Sequence, residues 1–155
     1  MDAPDPDFPT VKPFQDTGPQ AAGVVLTDNR GRVCLQLRDA FPGVEGGGSW
    51  GFFGGHREPG ETLAEAASRE LGEELGITLD PASLRPLART SAESGNRIYI
   101  FVTDARPDAR DFRLGEGAGF AFLSRAQTEA FPMLASTARI LGHYWTCVAP
   151  NLTTQ

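Results

Sequence analysis

Apolar positions along the chain fall into short runs separated by glycine, proline and charged residues. Residues 21–27 (AAGVVLT) and 33–37 (VCLQL) predict two strands, and the Asp28-Asn29-Arg30-Gly31 turn between them predicts a hairpin. Residues 50–53 (WGFF) predict a short aromatic strand after a glycine-rich loop at 41–49. The period then changes. Leu63, Ala67, Leu71 and Leu75 recur every four residues, the stripe of a helix with one buried face. Thr62 and Glu65 have capping-box spacing, and Gly76 stands where a left-handed cap ends a helix, so the helix is expected over 63–75. Further strands are expected over 84–90, 98–103 and 119–123. A helix opened by Ser124 should stop before Pro132, and a last helix should cover 136 to about 147. Strands and helices alternate irregularly. That predicts an α/β (α+β) chain with one mixed sheet between helices. Residues 1–19 hold five prolines and few apolar positions, and read as a loose, flexible tail that at best lies across the surface of a single domain over 20–155.

Composition narrows the function. The chain has 155 residues and a net charge of -6, which argues against nucleic acid as the main partner. A small anionic ligand remains compatible if cations supply the positive charge. No apolar run approaches the roughly 20 residues needed to span a bilayer. The acidic, proline-rich N-terminus has no secretory pattern, and the cytoplasm is the expected location. Cys34 and Cys147 lie far apart and read as reduced packing residues.

The chemistry concentrates in residues 55–77, GHREPGETLAEAASRELGEELGI. At about 100° per residue, Glu70 and Glu74 lie about 40° apart at the border of the apolar face, with Glu73 about 60° to the other side of Glu70. Three crowded carboxylates repel one another, and partial burial raises the cost. A divalent cation removes much of it, and Mg²⁺ and Mn²⁺ prefer hard oxygen ligands.

Gly55, Glu61, Arg69, Glu70, Leu71, Glu73, Glu74, Gly76 and Ile77 match every fixed position of the pattern G-x5-E-x7-R-E-U-x-E-E-x-G-U, U being aliphatic. The segment resembles the Nudix box, and the chain is similar to the MutT-like Nudix hydrolases, with no subfamily identified. The resemblance implies a Nudix-type αβα sandwich. It also implies metal-dependent attack of water on a phosphoanhydride of a nucleoside diphosphate linked to a group X, with Mg²⁺ or Mn²⁺, two or three ions, as cofactor. Glu73 and Glu74 resemble the paired metal ligands. Glu70 resembles a further ligand or the base, the Gly55 carbonyl a backbone ligand, and Arg69 with Glu61 the ion pair that orients them. A later carboxylate often completes such sites; Glu116 is the first candidate and Glu93 the second.

Substrate choice lies outside the box. Arg38, Trp50, Phe52, Phe53, Arg57 and Tyr99 are the candidates for substrate contact, by stacking or by holding phosphate; for the strand aromatics burial in the core is the favoured alternative, and for the two arginines a solvated loop position. His56, in the substrate-side loop, could also reach the substrate. The proline that marks many ADP-ribose hydrolases about 16 residues past the box is absent, and Glu93 stands there. A nucleoside triphosphate or nucleotide sugar is the preferred substrate class. Homodimers are common in the family and remain an option here. The rival reading is a non-catalytic Nudix-like nucleotide-binding or protein-interaction module.

Overall fold

The computed structural model describes residues 2–3, 7–44 and 46–152. Two β-sheets lie between helices. The first has four strands: β1 (Gln20–Val25), β4 (Phe53–His56), β5 (Arg85–Ser91) and β6 (Arg97–Val102), in the order β4-β1-β6-β5. The β1–β6 pair is parallel; the β1–β4 and β5–β6 pairs are antiparallel. The second sheet is antiparallel, in the order β3-β2-β7: β3 (Trp50–Gly51), β2 (Val33–Leu37) and β7 (Gly119–Leu123). Helix α1 (Leu63–Leu75) packs on β1 and β4, and α3 (Ala135–His143) on β5; α2 (Arg125–Ala130) adjoins β7.

Both faces of the central strands are covered, which explains their continuous apolar runs. In β1 and β6, Ala22, Val24, Tyr99 and Phe101 point into a core shared with Leu63, Ala67, Leu71 and Leu75 of α1. Their neighbours Val25, Ile100 and Val102 point into a second core with Ile140, Leu141, Tyr144 and Trp145. The αβα arrangement expected from the sequence is present, but the single mixed sheet is two sheets.

The same division alters two local expectations. The turn at 28–32 forms, with the Asp28 carboxylate accepting from the Arg30 and Arg32 backbone N–H groups. The strands flanking it pair only at the Thr27–Val33 bridge and the bond from Cys34 N to Leu26 O. β1 then enters one sheet and β2 the other, so no extended hairpin exists. Residues 50–53 likewise form no single strand. Trp50 and Gly51 pair with β2, Phe53 starts the strand beside β1, and Phe52 stands at the crossing. The last helix starts at Ala135, widens into a π-turn over Tyr144–Val148 and resumes over Ala149–Leu152.

The expectation of a loose tail fails over residues 7–19; residues 1 and 4–6 lie outside the described residues. Val11 N donates to Arg89 O at 2.8 Å, while Arg89 N donates to Pro9 O and Ser91 N to Pro13 O. The segment thus satisfies the outer backbone groups of β5, an edge that would otherwise stay open. Phe8 meets Tyr99 and Phe101 edge-on at 5.2 and 5.0 Å, and Arg89 stacks over Phe14. Prolines cannot continue a ladder, but alternate groups of this segment still pair, and Phe8 and Phe14 pack, partly buried, against the core.

Candidate active site

Helix α1 is capped as its sequence prescribes. Thr62 accepts from Glu65 N at 3.1 Å, the Glu65 carboxylate accepts from Thr62 N at 3.2 Å, and Gly76 closes the helix at φ 69°. The C-terminal carbonyls of the helix find partners in a later loop. Arg113 N donates to Leu75 O at 2.8 Å, and Gly115 N to Glu74 O at 2.7 Å. Gly115 has to be glycine, because a Cβ there would run into the Glu73 carbonyl oxygen. These contacts bring Glu116 to the carboxylate end of α1.

Arg69 organises the acidic face. Its Nε and Nη2 form a fork on Glu61 at 2.7 and 3.0 Å. Nη1 donates to Glu70 at 3.0 Å and to Glu73 at 3.1 Å, and Nη2 also reaches the His56 carbonyl at 3.0 Å. One guanidinium therefore ties helix, loop and β4 together. It holds the Glu61 carboxyl below the ordinary range, first by direct hydrogen bonding.

The three helix carboxylates differ. Glu73 is exposed; Glu70 is half-buried beneath Gly55, where a Cβ would collide with its carboxylate. Burial pushes the Glu70 carboxyl up, and the negative charges of Glu73 and Glu116 add to this. Glu74 is only 3% exposed. It accepts from Gly54 N at 2.8 Å and from the Gln36 amide at 3.3 Å. Burial, with Glu70 and Glu116 adding their charges, pushes Glu74 up to about 8. Among the described residues, no three acidic, histidine or cysteine side chains already stand around one point as a metal cage. Glu70 and Glu73 turn onto Arg69, and Glu74 turns onto β4.

Outside α1, the sequence candidates separate. Arg38 borders both a cleft of about 370 Å³ and an adjoining hollow of about 400 Å³. The first cleft runs from Gly54, Gly55 and His56 past Phe52 to the start of α3, with Glu93 and Asn96 of the β5–β6 turn also lining it. Glu116 lines the adjoining hollow, beside Gln36. The two loop glutamates thus occupy different walls, and Glu116 is the one whose charge acts on Glu70 and Glu74.

Three substrate candidates are corrected. Tyr99 is 0% exposed and packs against Phe8 and Phe14. Phe53 is 1% exposed and belongs to the α1 core, which leaves its ring no face to offer a base. Arg57 points into the box loop, donating to Gln20 at 2.7 Å and to the carbonyls of Glu58 and Glu61. Trp50 packs against Phe131. Sequence reasoning also missed Gln36, whose amide bonds both Glu74 and, at 3.0 Å, the Glu116 carbonyl. The available signal was a polar residue inside an apolar strand, two positions from Cys34 and on the same face.

Comparison with known proteins identifies the family. The NUDIX domain family model matches residues 18–141, and the chain belongs to that family. It is 46% identical over 57 residues to an oxidized purine nucleoside triphosphate hydrolase of Danio rerio, covering 37% of this chain and 35% of that one. It is 38% identical over 97 residues to the uncharacterized Nudix hydrolase orf19 of Rhodococcus erythropolis, covering 57% of this chain and 52% of that one. The chain spans about half or less of these curated relatives. The fold is shared with a mutT/nudix family protein from Listeria innocua at a TM-score of 0.70, 18% identity and coverage of 91% and 100% of the two chains. Among the described residues, no helix is long and apolar enough to cross a membrane.

Proposed function

We propose that the chain hydrolyses a phosphoanhydride bond of a nucleoside triphosphate or of another nucleoside diphosphate derivative, with a divalent cation as cofactor. One observation carries this reading: on one helix end Arg69 holds Glu70 and Glu73, the neighbouring Glu74 is buried on Gly54 with the charges of Glu70 and Glu116 acting on it, and Gly54 and Gly55 line the cleft beside them. The donor set fits Mg²⁺ or Mn²⁺. Its atoms are all hard oxygens, and the buried Glu74 carries a pKa near 8 with Glu70 and Glu116 adding negative charge. Glu73, Glu74 and the Gly55 carbonyl would hold the cation, with Glu70 and Glu116 completing the set. When bound, the metal supplies charge neutralisation at phosphate and a lowered pKa for its water.

The chain's own residues do the rest. Glu70, held up in pKa by burial, takes the proton of the attacking water. Arg69 fixes the rotamers of Glu70 and Glu73, so that little reorganisation is left for the reaction itself. Arg38, at the junction of the two hollows, holds phosphate oxygens, and Phe52 gives the base an apolar wall. The water oxygen bonds to phosphorus as the bond from that phosphorus to the bridging anhydride oxygen breaks; the bridging oxygen leaves on pyrophosphate when the substrate is a triphosphate, and the nucleoside monophosphate is the other product. The Danio rerio relative, named for oxidized purine nucleoside triphosphates, supports the triphosphate class. Retention of every box glutamate speaks against a purely binding module.

The test is product mass after incubation with Mg²⁺ or Mn²⁺ and a panel of nucleoside triphosphates, nucleotide sugars, ADP-ribose and dinucleoside polyphosphates. Nucleoside monophosphate should appear with the wild type. Glu73→Gln should fold normally and lose about two orders of magnitude or more in kcat, the scale on which single electrostatic groups act. A Glu73→Gln rate near that of the wild type sinks the assignment.

A further inference from the structure

The residues that carry the chemistry are held by a loop, and the loop is held from an unexpected direction. Between β4 and α1, residues 57–62 belong to no strand or helix. Their orientation sets Glu61, which sets Arg69, which sets Glu70 and Glu73. Arg57 spans this loop from inside, through Nη1 to Glu58 O at 3.2 Å and Glu61 O at 3.1 Å. Its Nε donates at 2.7 Å to Gln20 Oε1, and its backbone N–H donates to Gln20 O. Gln20 is 5% exposed. The same Oε1 accepts from Ala3 N at 3.0 Å, and Gln20 Nε2 donates to Ala3 O at 3.3 Å. Next to Ala3, Asp2 bonds at 2.9 Å to Arg97, itself only 4% exposed and also bound to Gly18 O and Asp16.

We infer that Gln20 is a positioning residue through which the docked N-terminal segment holds the box loop, and so the catalytic glutamates, in register. The inference rests on the site reading proposed above. A continuous line of bonds runs Ala3–Gln20–Arg57–Glu61–Arg69–Glu70/Glu73. The Gln20 amide is buried, and its oxygen serves two donors at once. Turning it away would strand the Ala3 N–H and part of a guanidinium without partners, so a single rotamer is strongly favoured. Residues 2–3 lie upstream of the matched family domain, so the N-terminal segment supports the site from outside that domain.

The experiment titrates the full chain with Mn²⁺ by electron paramagnetic resonance, without substrate, and measures kcat and KM on a nucleotide that the wild type hydrolyses. Gln20→Leu removes the amide; Gln20→Glu keeps an acceptor for both Ala3 N and Arg57. Supporting groups of this kind typically change metal affinity or turnover by about tenfold or more. Gln20→Leu should weaken Mn²⁺ binding and kcat by about tenfold with KM within about twofold, and Gln20→Glu should return both to within about twofold of wild type. A Gln20→Leu protein with wild-type Mn²⁺ affinity and kcat but a lower Tm overturns the inference and makes Gln20 a mere anchor. Should Gln20→Leu fail to fold, Ala3→Pro decides, because it deletes one N–H at the start of the line; unchanged Mn²⁺ affinity there overturns the inference. A wild type that neither binds Mn²⁺ nor cleaves any nucleotide brings down the functional reading along with this one. An active wild type with insensitive variants brings down this one alone.

Discussion

Raising the pH of the metal-free protein from about 5 to about 8 should weaken its fold, and Glu74 sets the size of the effect. In the unfolded chain this carboxyl ionises near 4.5; in the folded protein it does so near about 8, chiefly because burial disfavours the charge. Below 4.5 both states hold the proton and the group contributes nothing. As pH rises through the window between the two values, the unfolded chain loses its proton while the folded protein keeps it. Stability therefore falls, and it levels off above the folded value. The gap, 8 − 4.5, at about 1.4 kcal/mol per tenfold, sets a ceiling of about 5 kcal/mol. Glu70, also raised by burial, acts with the same sign. Glu61 and Asp28 are lowered, so their stabilisation is complete above the unfolded values and is lost only at more acid pH. For a chain of this size about 2–4 °C accompany each kcal/mol, so Tm should drop by on the order of 10 °C across the window. The assay is thermal unfolding in chelator across this range, for the wild type and Glu74→Gln. The amide stays neutral, so the variant's slope should flatten. A metal ion competes with the proton, so added Mn²⁺ should raise Tm more at the top of the window than at the bottom. A wild-type Tm that stays level or climbs with pH, or an equal slope in Glu74→Gln, refutes the reasoning.

Two further substitutions probe the helix. Arg69→Met leaves Glu61, Glu70 and Glu73 without their shared donor and should cost about 2 kcal/mol in urea unfolding. Arg69→Lys should recover little of it, because one ammonium cannot reproduce the fork on Glu61; full recovery by lysine would contradict the geometry. Gly72→Ala should stabilise the protein by about 1 kcal/mol, since a Cβ there meets only the Ile77 carbonyl oxygen at 3.5 Å and alanine is the better helix former; a loss of stability would show that the glycine has a role. Nothing in the structure explains that glycine.

The box helix was legible to the residue. Its cap, its stripe and its stop are all encoded within one stretch, where i, i+3 and i+4 neighbours decide the outcome. The same locality made Glu70, Glu73, Glu74, Arg69 and Glu61 identifiable as a group before any tertiary contact was known. The turn at 28–32 was legible for the same reason, and its strands' destinations were not. Whether β2 pairs with β1 or with β3 and β7 depends on distant segments, and residues 21–27 carry no mark of which neighbour they will take.

Only the tertiary structure separated substrate-facing from core aromatics. Tyr99 and Phe53 alternate with their neighbours in strands covered on both faces, so the period-2 pattern that usually tells inside from outside is silent there. It alone turned a proline-rich tail into the outer edge of a sheet, because scattered backbone bonds and two partly buried phenylalanines leave no periodic trace. It also revealed Gln36 and Gln20. A lone glutamine in an apolar strand says that some polar partner exists; the fold decides that one partner is Glu74 and the other is Arg57. The chemistry of the box resides in local sequence because helix geometry is local. Its support resides in contacts between residues up to 95 positions apart, which only chain closure brings together.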